Sequence, residues 1–414
     1  MAIHGFLFGF SGVPHGHGIA ASSTGHVIEG NHLGTDAGGT SGLGNGGAGV
    51  FLEVGASTVG GTTPAARNVA SGNTQNGVAI WNFSDGNVVQ GNYLGTTPDG
   101  TAALPNNYGI TLYAGANSTI GGTVAGAGNV LSGNNFDGLS ISNPNFPIPT
   151  LVQGNLLGLD ATGTSAVGNG SNGIGNTGTG ATGAVGITVG GTTPTAGNTC
   201  SGNMRGISYQ GSDWLVQGNR VGTDLSGTVP LGNSRAGITI FHTTATNSTI
   251  GGIIGSSANL IAYNNTSGLD SGGVVVNFSF TGADPTNNSV LGNSIVDNTG
   301  LGISLCDGSP CDGVTANDPL DPDVGPNGLQ NFPVITSADA ETGDFAGTLN
   351  STESTSYRVE LFANHACDPS GHGEGELFLA AVDPVTTDGS GDVAFADTTT
   401  PFLAGLELAA TATA

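Results

Sequence analysis

Three aspartates recur at one position of a glycine-rich loop, and repeated carboxylates suggest acid–base chemistry. Asp36, Asp160 and Asp224 each occupy the third position of the motif G-[TL]-D-x-x-G-T. If the loops belong to coils stacked about 4.8 Å apart, Asp160 and Asp224 lie two coils, or about 9.6 Å, from each other. Inverting glycoside hydrolases place two carboxyl groups at a similar separation. An Asp-initiated turn requires the same motif for local reasons, and this second interpretation is favoured.

Cationic side chains are the second requirement for chemistry on acidic sugars. A lyase or epimerase that acts on polyuronates needs cations to neutralise the sugar carboxylate and a base to remove its proton. The chain has no lysine and five arginines. Arg205 and Arg220 are close in sequence, and Asp213 and Trp214 lie between them. If the chain has a catalytic site, the segment from Arg205 to Asp224 is the first candidate.

Two aromatic residues have the spacing of a carbohydrate-binding surface. Trp81 and Tyr113 each lie four residues after the glycine that begins a short strand, so we expect their rings about one coil spacing apart. The apolar face of a sugar packs against such rings. With Gln90 and Tyr93 of a polar row, and with Trp214, they form the predicted glycan-binding set. The alternatives are that the rings cover a turn and that the polar row is an ordinary solvated sheet face.

An acidic segment near residue 320 has the composition of a calcium site. Asp318, Asp321 and Asp323 lie close together in a stretch that is rich in proline and glycine. Ligands that carry only oxygen atoms suit calcium, although the spacing is not that of an EF-hand. The sequence therefore predicts either an irregular, structural Ca²⁺ site or an acidic turn without a metal.

An internal repeat positions all of these residues. A glycine followed by a short, mostly apolar strand recurs at Gly18, Gly49, Gly77, Gly109, Gly138, Gly173, Gly206, Gly237, Gly273 and Gly302. One asparagine lies in a turn between consecutive strands, at Asn31, Asn73, Asn92, Asn134, Asn155, Asn203, Asn219, Asn265 and Asn293. This pattern predicts a solenoid of stacked coils. Because asparagine tolerates left-handed backbone angles and can bond to its copies above and below, we also expect an asparagine ladder.

Each short strand alternates between inward and outward side chains. In Val78-Ala79-Ile80 the first and third residues are predicted to point inward and the middle residue to face water. The middle row contains no carboxylate, histidine or arginine: Ala20, Phe51, Ala79, Thr111, Ser140, Gly175, Ser208, Thr239, Val275 and Ser304. This row therefore counts against a catalytic site on that face.

The repeat GIxI, followed by NxIxGNxIGTDxxGT and IGG, resembles the bacterial right-handed parallel β-helix repeat proteins of the pectate-lyase-like superfamily. The resemblance covers about residues 2–330 and implies an all-β fold, a right-handed parallel β-helix of about ten coils. The resemblance does not indicate which activity the protein has, because that superfamily includes lyases, hydrolases, epimerases and adhesins.

The repeat ends after Gly302, and a different pattern follows. Short alternating runs from about Phe332 predict a small antiparallel β-sandwich over residues 331–414, after a β-helix domain over residues 1–330. This second part resembles the immunoglobulin-like modules that are attached to such β-helices. The sequence ends at Thr411–Ala414 inside a predicted strand, so we expect the sandwich to be incomplete.

The charge of the chain excludes two classes of partner. Five arginines against 30 carboxylates give a formal charge of −25, which repels nucleic acids and anionic membranes. No apolar run is long enough to insert into a membrane, and no leader segment opens the chain. Cys306 and Cys311 are close enough in sequence to form a disulfide, whereas Cys200 and Cys367 have no evident partner. Such a disulfide suits an extracellular or cell-surface protein whose export signal is absent from this chain.

The sequence favours a scaffold that binds a polysaccharide or a cell-surface glycan without catalysis. Two features support this interpretation: the middle row has no charged side chains, and the chain has few cationic residues. The alternative is a polysaccharide-active enzyme of the same superfamily, a glycoside hydrolase first and a lyase or epimerase second. Both alternatives leave the oligomeric state open.

Overall fold

The computed structural model describes residues 16–414 apart from 82–83, 114–116, 143–148, 177–182, 270–271, 278–283, 309–310, 312, 367 and 403. Strands form nearly all of its regular structure. The described helical segments are two short 3-10 turns, Gly255–Ser257 and Pro326–Leu329. The predicted all-β fold is therefore confirmed.

Three parallel sheets make up the larger part of the chain. Sheet A takes one strand from each of ten coils, and each strand pairs with the strand of the next coil. Its strands are Ile19–Ala21, Val50–Leu52, Asn76–Ile80, Tyr108–Tyr113, Leu139–Ser142, Asn172–Gly175, Arg205–Tyr209, Ile238–Ile240, Gly272–Asn277 and Leu301–Cys306. These ten strands agree with the predicted number of coils.

Sheets B and C contain nine strands each. Sheet B consists of Val27–Ile28, Thr58–Gly60, Val88–Gln90, Thr119–Gly121, Leu151–Gln153, Thr188–Gly190, Leu215–Gln217, Thr249–Gly251 and Ser289–Leu291. Sheet C consists of His32–Leu33, Val69–Ala70, Tyr93–Leu94, Val130–Leu131, Leu156–Leu157, Thr199–Cys200, Arg220–Val221, Leu260–Ala262 and Ser294–Val296. Because successive coils pass through A, B and C in turn and pair in parallel, the fold is a parallel β-helix.

The interior of the β-helix is one apolar cluster built from inward rows. Val78 pairs with Ile110, Ile110 with Leu139, and Leu139 with Ile174. The predicted inward positions are confirmed, since these side chains are fully buried: Val78, Ile80, Ile110, Leu112, Leu139, Ile141, Ile238 and Ile240. Stacking gives every coil apolar neighbours above and below, which no single coil could supply.

The middle row of sheet A has the predicted alignment but not the predicted exposure. The register joins the ten residues in order from Ala20 to Ser304. Most of the row is nevertheless buried, namely Ala79, Ser140, Gly175, Ser208, Thr239, Val275 and Ser304. A small cluster of Ala236, Val275 and Cys306, with Cys311 against it, covers part of the row. The prediction that this whole row faces water is therefore wrong.

Two asparagine ladders run along the β-helix where the sequence predicts one. One follows sheet B: Asn31, Asn68, Asn92, Asn129, Asn155, Asn198, Asn219, Asn259 and Asn293. The other follows sheet C: Asn45, Asn73, Asn106, Asn134, Asn169, Asn203, Asn233, Asn264 and Asn298. In each ladder the side-chain amide donates to Oδ1 of the next asparagine. The predicted set mixes members of both ladders, and Asn264 takes the position expected for Asn265.

The C-terminal part forms two three-stranded antiparallel sheets. One contains Val334–Ala338, Asp344–Asn350 and Asp392–Thr398, and the other contains Leu377–Thr386, Ser356–Asn364 and Glu407–Thr413. They enclose their own apolar cluster, which includes Phe345, Leu361 and Phe395. This arrangement agrees with the predicted small β-sandwich, whereas the domain boundary near residue 330 stays a prediction.

One disulfide joins residues that the sequence pairs. Cys306 and Cys311 are bonded, with Cα atoms 5.0 Å apart. Cys200 is a buried free thiol, and Cys367 lies outside the described residues. The predicted disulfide is therefore confirmed.

Candidate functional site

Four rings follow one another across the first coils, on the outer side of sheet A. The ring centroids are 4.3 Å apart for His17 and Phe51, 6.5 Å apart for Phe51 and Trp81, and 4.2 Å apart for Trp81 and Tyr113. Trp81 and Tyr113 are stacked, with 14° between their planes. The predicted separation of these two rings by about one coil spacing is confirmed. We call the four residues the aromatic stack.

The geometry of the aromatic stack decides which ring surfaces a ligand can reach. Tyr113 covers one face of Trp81. On the other side, the planes of Phe51 and Trp81 diverge by 36°, so these rings do not cover each other. Trp81 is 40% exposed. The accessible apolar surface is therefore the side of Trp81 that faces Phe51, together with the outer ring edges.

An exposed carboxylate belongs to the same neighbourhood. Glu53 directly follows the strand of Phe51, and the backbone N–H of Trp81 donates to the carbonyl of Leu52 at 2.9 Å. This register places Glu53 beside Trp81 on the adjacent coil, and Glu53 is exposed. A carboxylate accepts hydrogen bonds from hydroxyl groups, so the pair offers an apolar surface and an acceptor to one ligand.

Tyr93 lies on sheet C and is separate from the aromatic stack. The guanidinium carbon of Arg67 is 3.9 Å from the centroid of the Tyr93 ring. Gly100 of a neighbouring loop also packs against this ring, since a Cβ there would lie 2.9 Å from it. Tyr93 and Trp81 therefore do not form one continuous binding strip.

The glutamines at the end of sheet B join successive coils. Nε2 of Gln153 donates to the carbonyl of Gly190, and Nε2 of Gln217 donates to the carbonyl of Gly251, each at 2.9 Å. Gln90 is half-buried at the equivalent position. At Gln153 and Gln217, the amide that could bind a ligand is therefore used by the β-helix itself.

Asp160 and Asp224 begin local turns. In each case Oδ1 accepts hydrogen bonds from the backbone N–H groups four and five residues later, at 3.0 to 3.2 Å. Burial acts to raise the pKa of Asp224, but these bonds outweigh it and lower the pKa to about 2. The pKa of Asp160 is lowered for the same reasons. Because a general acid must hold a proton near neutral pH, this environment favours the turn interpretation.

The other predicted catalytic residues lie on different elements of one coil. Arg205 begins a strand of sheet A, Asp213 lies in the turn before sheet B, and Arg220 begins a strand of sheet C. The oxygen Oδ2 of Asp213 accepts a hydrogen bond from the adjacent Ser212 at 2.6 Å. These three residues therefore belong to three different parts of the coil.

Trp214 lies inside the β-helix, where a glycan cannot reach it. Its ring is 1% exposed and stacks on Tyr209 with the centroids 4.4 Å apart. Its indole Nε1 donates to the carbonyl of Ala184 at 2.9 Å. The prediction that Trp214 contacts a glycan is therefore wrong, because both the ring and its polar atom are used by the core.

The acidic segment contains unsatisfied carboxylate oxygens. Oδ1 of Asp318 and Oδ1 of Asp321 are buried and have no hydrogen-bond partner among the described residues. Oδ2 of Asp321 accepts bonds from Ser351 Oγ at 2.5 Å and from the backbone N–H of Asn331 at 3.1 Å. Burial, with the neighbouring charges of Asp318 and Asp323, raises the pKa of Asp321. A buried oxygen without a donor is a site where a cation lowers the electrostatic energy.

One buried carboxylate was missed by the sequence analysis. Asp137 is fully buried, and its Oδ1 accepts bonds from the backbone N–H of Asn172 at 3.0 Å and from Nδ2 of Asn172 at 2.9 Å. Its Oδ2 has no partner among the described residues. A Cβ on Gly175 would lie 2.5 Å from Oδ2, so glycine leaves the space for this carboxylate. Burial raises the pKa of Asp137.

The sequence feature that could have indicated Asp137 is its position directly before the glycine that begins a strand. The residues at this position on successive coils are Asn76, Tyr108, Asp137, Asn172 and Arg205, and the backbone register pairs Asn76 with Tyr108 and Asn172 with Arg205. This row is more polar than the middle row of the strands. It precedes the glycine with which the predicted strand pattern begins, so that pattern does not include it.

No protein-family model matches the chain, and no curated protein matches it. Among the described residues, no helix has both the length and the apolar character to cross a membrane.

Proposed function

We propose that this chain is a secreted or cell-surface β-solenoid scaffold that binds a glycan without catalysing its cleavage. The aromatic stack carries this proposal, because Trp81 offers an exposed ring surface next to the carboxylate of Glu53. Sugars bind to such sites through their apolar C–H faces and their hydroxyl groups. Because the aromatic stack extends over several coils, a linear chain of sugar units could bind along successive coils.

Within the same proposal, the chain belongs with the bacterial right-handed β-helix proteins of the pectate-lyase-like superfamily. Support comes from the GIxI and GNxIGTDxxGT repeat together with the parallel coils. Members of one fold differ in activity, so this assignment does not by itself choose between a binding protein and an enzyme.

We propose that the protein is not catalytic because the candidate carboxylates are ionised and because the candidate arginines lie apart in the fold. Asp160 and Asp224 are held ionised by turn hydrogen bonds, and the arginines predicted for catalysis lie on different sheets. The alternative is a polysaccharide-active enzyme, a glycoside hydrolase first and a lyase or epimerase second. Asp137 has a raised pKa, as a general acid requires, but it is fully buried.

Replacing Trp81 by alanine is expected to weaken glycan binding at least tenfold, because it removes the exposed ring surface. The measurement is a panel of neutral and acidic polysaccharides, followed by calorimetric titration of whichever polysaccharide binds. Phe136 is a matched control, since it is 47% exposed and pairs with Tyr108 away from the stack. Phe136→Ala should bind normally. Equal losses in the two variants would contradict a site at the aromatic stack.

The same panel tests for catalysis. New reducing ends would indicate hydrolysis, and absorbance from unsaturated uronates would indicate a lyase. Either product would overturn the non-catalytic part of the proposal.

A structural calcium ion near Asp318 and Asp321 remains part of the proposal. No group of three or more acidic, histidine or cysteine side chains in the described part of the chain is arranged to hold a metal ion. The ion would therefore need backbone, amide or water oxygens beside the two unsatisfied carboxylate oxygens. Calcium accepts such mixed sets of oxygen ligands.

Calcium is expected to raise the midpoint of thermal unfolding of the metal-free protein by several degrees. A ligand at one hundred times its dissociation constant stabilises the folded state by about 2.7 kcal/mol. Asp321→Asn should remove most of this effect. Asp339→Asn is the control, because Asp339 accepts backbone bonds in a separate exposed turn. A midpoint that does not respond to calcium or to a chelator would refute the site.

A further inference from the structure

The asparagine ladder beside sheet C ends on a glutamate. Within this ladder, Asn264 donates its backbone N–H and its Nδ2 to Oδ1 of Asn298, at 3.0 and 2.9 Å. Asn298 in turn donates the same two groups to Oε1 of Glu374, at 3.2 and 3.0 Å. Glu374 belongs to the C-terminal part and thus occupies the position of the next asparagine.

The C-terminal part also replaces the missing next coil beside sheet B. In an earlier coil, the backbone N–H of Gly218 donates to the carbonyl of Ser257 at 3.1 Å. In the last coil, the equivalent N–H of Gly292 donates to Oε2 of Glu360 at 2.8 Å. Glu360 is almost fully buried, and its other oxygen accepts a bond from Nε of Arg358 at 2.8 Å.

A third replacement lies at the turn that leads into sheet B. The backbone N–H of Ser248 donates to Oδ1 of Asn288 at 3.2 Å, and the N–H of Asn288 donates to Oδ1 of Asn327 at 3.1 Å. In addition, Ile295 of the last sheet C strand exchanges two backbone hydrogen bonds with Gly375. All three corners of the last coil are therefore completed by residues that follow the β-helix.

We propose that the segment 326–414 is a docked end cap of the β-helix and that ionisation of Glu374 weakens this docking. The asparagines that Glu374 replaces are neutral, whereas a glutamate can carry a charge. Glu360 makes an ion pair with Arg358, but no cationic partner of Glu374 is found among the described residues. The contact between Glu374 and Asn298 therefore depends on the protonation of Glu374.

The surroundings of Glu374 disfavour its ionised form. Its side chain is 9% exposed, and Asp368 adds a like charge nearby. Glu376 lies two residues away and pairs with His365 Nδ1 at 2.7 Å, and His372 contacts the ring of Phe332. Hydrogen bonds from Asn298 and from the backbone of Asp297 oppose the effect. Burial dominates and raises the pKa of Glu374 to about 7.

Apolar packing across the interface is incomplete, which gives the polar contacts more weight. A cleft of about 940 Å³, open to solvent, lies between the end of the β-helix core and the cap. Its lining includes Ile303 and Leu305 on one side and Leu408 and Ala410 on the other. Where the cleft lies, the two surfaces do not pack against each other, so they make fewer dispersion contacts than a closed interface would make.

The direction of the pH dependence follows from the raised pKa. The docked cap binds a proton more tightly than the free cap, whose Glu374 has its ordinary pKa of 4.5. Docking is therefore strongest below pH 4.5, weakens as the pH rises toward 7, and becomes constant above that. Since each pKa unit is a tenfold change in the equilibrium, the full effect is up to a few hundredfold.

Hydrogen exchange of the full chain between pH 5 and 8 tests this proposal. The protection factors of the Ile295 and Gly375 amides, corrected for the intrinsic exchange rate at each pH, should fall by at least tenfold. In Glu374→Gln, which keeps the acceptor but not the charge, they should be independent of pH. Glu376→Gln is the control and should retain the pH dependence of the original protein.

Two outcomes would overturn the proposal. One is a pH-independent protection of Ile295 and Gly375 in the original protein, and the other is an unchanged pH dependence in Glu374→Gln. If that variant does not fold, a carbon-13 NMR titration of Glu374 in the original protein decides the matter. A titration midpoint at or below 4.5 would contradict the proposal, and a midpoint near 7 would support it.

Discussion

Replacing Asn129 by alanine is expected to destabilise the β-helix locally by about 3–5 kcal/mol. The Asn129 side chain accepts bonds from the backbone N–H and Nδ2 of Asn92, and donates to Val89 and Asn155, at 2.8 to 3.0 Å. Asn92 and Asn129 are fully buried. Alanine would therefore leave two donors and one carbonyl unsatisfied, and each such group costs about 1–3 kcal/mol.

Hydrogen exchange during urea titration is the appropriate measurement, because stacked coils open locally and need not unfold in one step. The coils that contain Asn92 and Asn155 should lose most protection. Asn135→Ala is the control, since Asn135 is exposed and its side-chain amide donates to Oδ1 of Asn107 at 3.2 Å, at the surface of the β-helix. A loss in Asn129→Ala no greater than in this control would show that the ladder adds little stability.

Replacing Trp214 by alanine is expected to cost about 3–5 kcal/mol, as is usual for a large aromatic residue in a core. The variant would leave a cavity beside Tyr209 and remove the donor to the Ala184 carbonyl. Chemical denaturation followed by hydrogen exchange measures the loss. Glycan binding by the molecules that remain folded should be unchanged.

Trp81→Ala is the matched comparison, because it removes the same residue type from an exposed position. Its stability should change by about 1 kcal/mol or less, since part of the ring is already in water. Its effect on glycan binding should be large. If Trp81→Ala proved as destabilising as Trp214→Ala, the aromatic stack would be a structural element in the first place and its proposed role in binding would fail.

The opposite roles of the two tryptophans illustrate what a sequence pattern can miss. Trp214 lies two residues before Val216, so it shares the inward parity of that strand. The equivalent residues before other sheet B strands are also buried, for example Ser57, Ser118 and Ile187. The alternation of inward and outward residues therefore predicts that Trp214 is buried, but only when the start of the sheet B strand is known.

The asparagine ladders show the same limit. Asn68 and Asn73 are five residues apart, whereas Asn92 and Asn106 are fourteen apart, because a glycine-rich loop lies between the second pair. The sequence therefore contains two asparagines per coil. A pattern with one asparagine turn per coil does not show the second ladder, because unequal loop lengths conceal which asparagines lie above one another.

The sequence by itself determined the parallel β-helix and the residues of its dry interior. This was possible because the inward rows depend on a local alternation of two, repeated once per coil. The tertiary structure alone decided that most of the middle row is covered, that Asp137 is buried, and that Glu374 and Glu360 complete the last coil. These features depend on loops and on a distant segment, whose folding back onto the sheets no local period encodes.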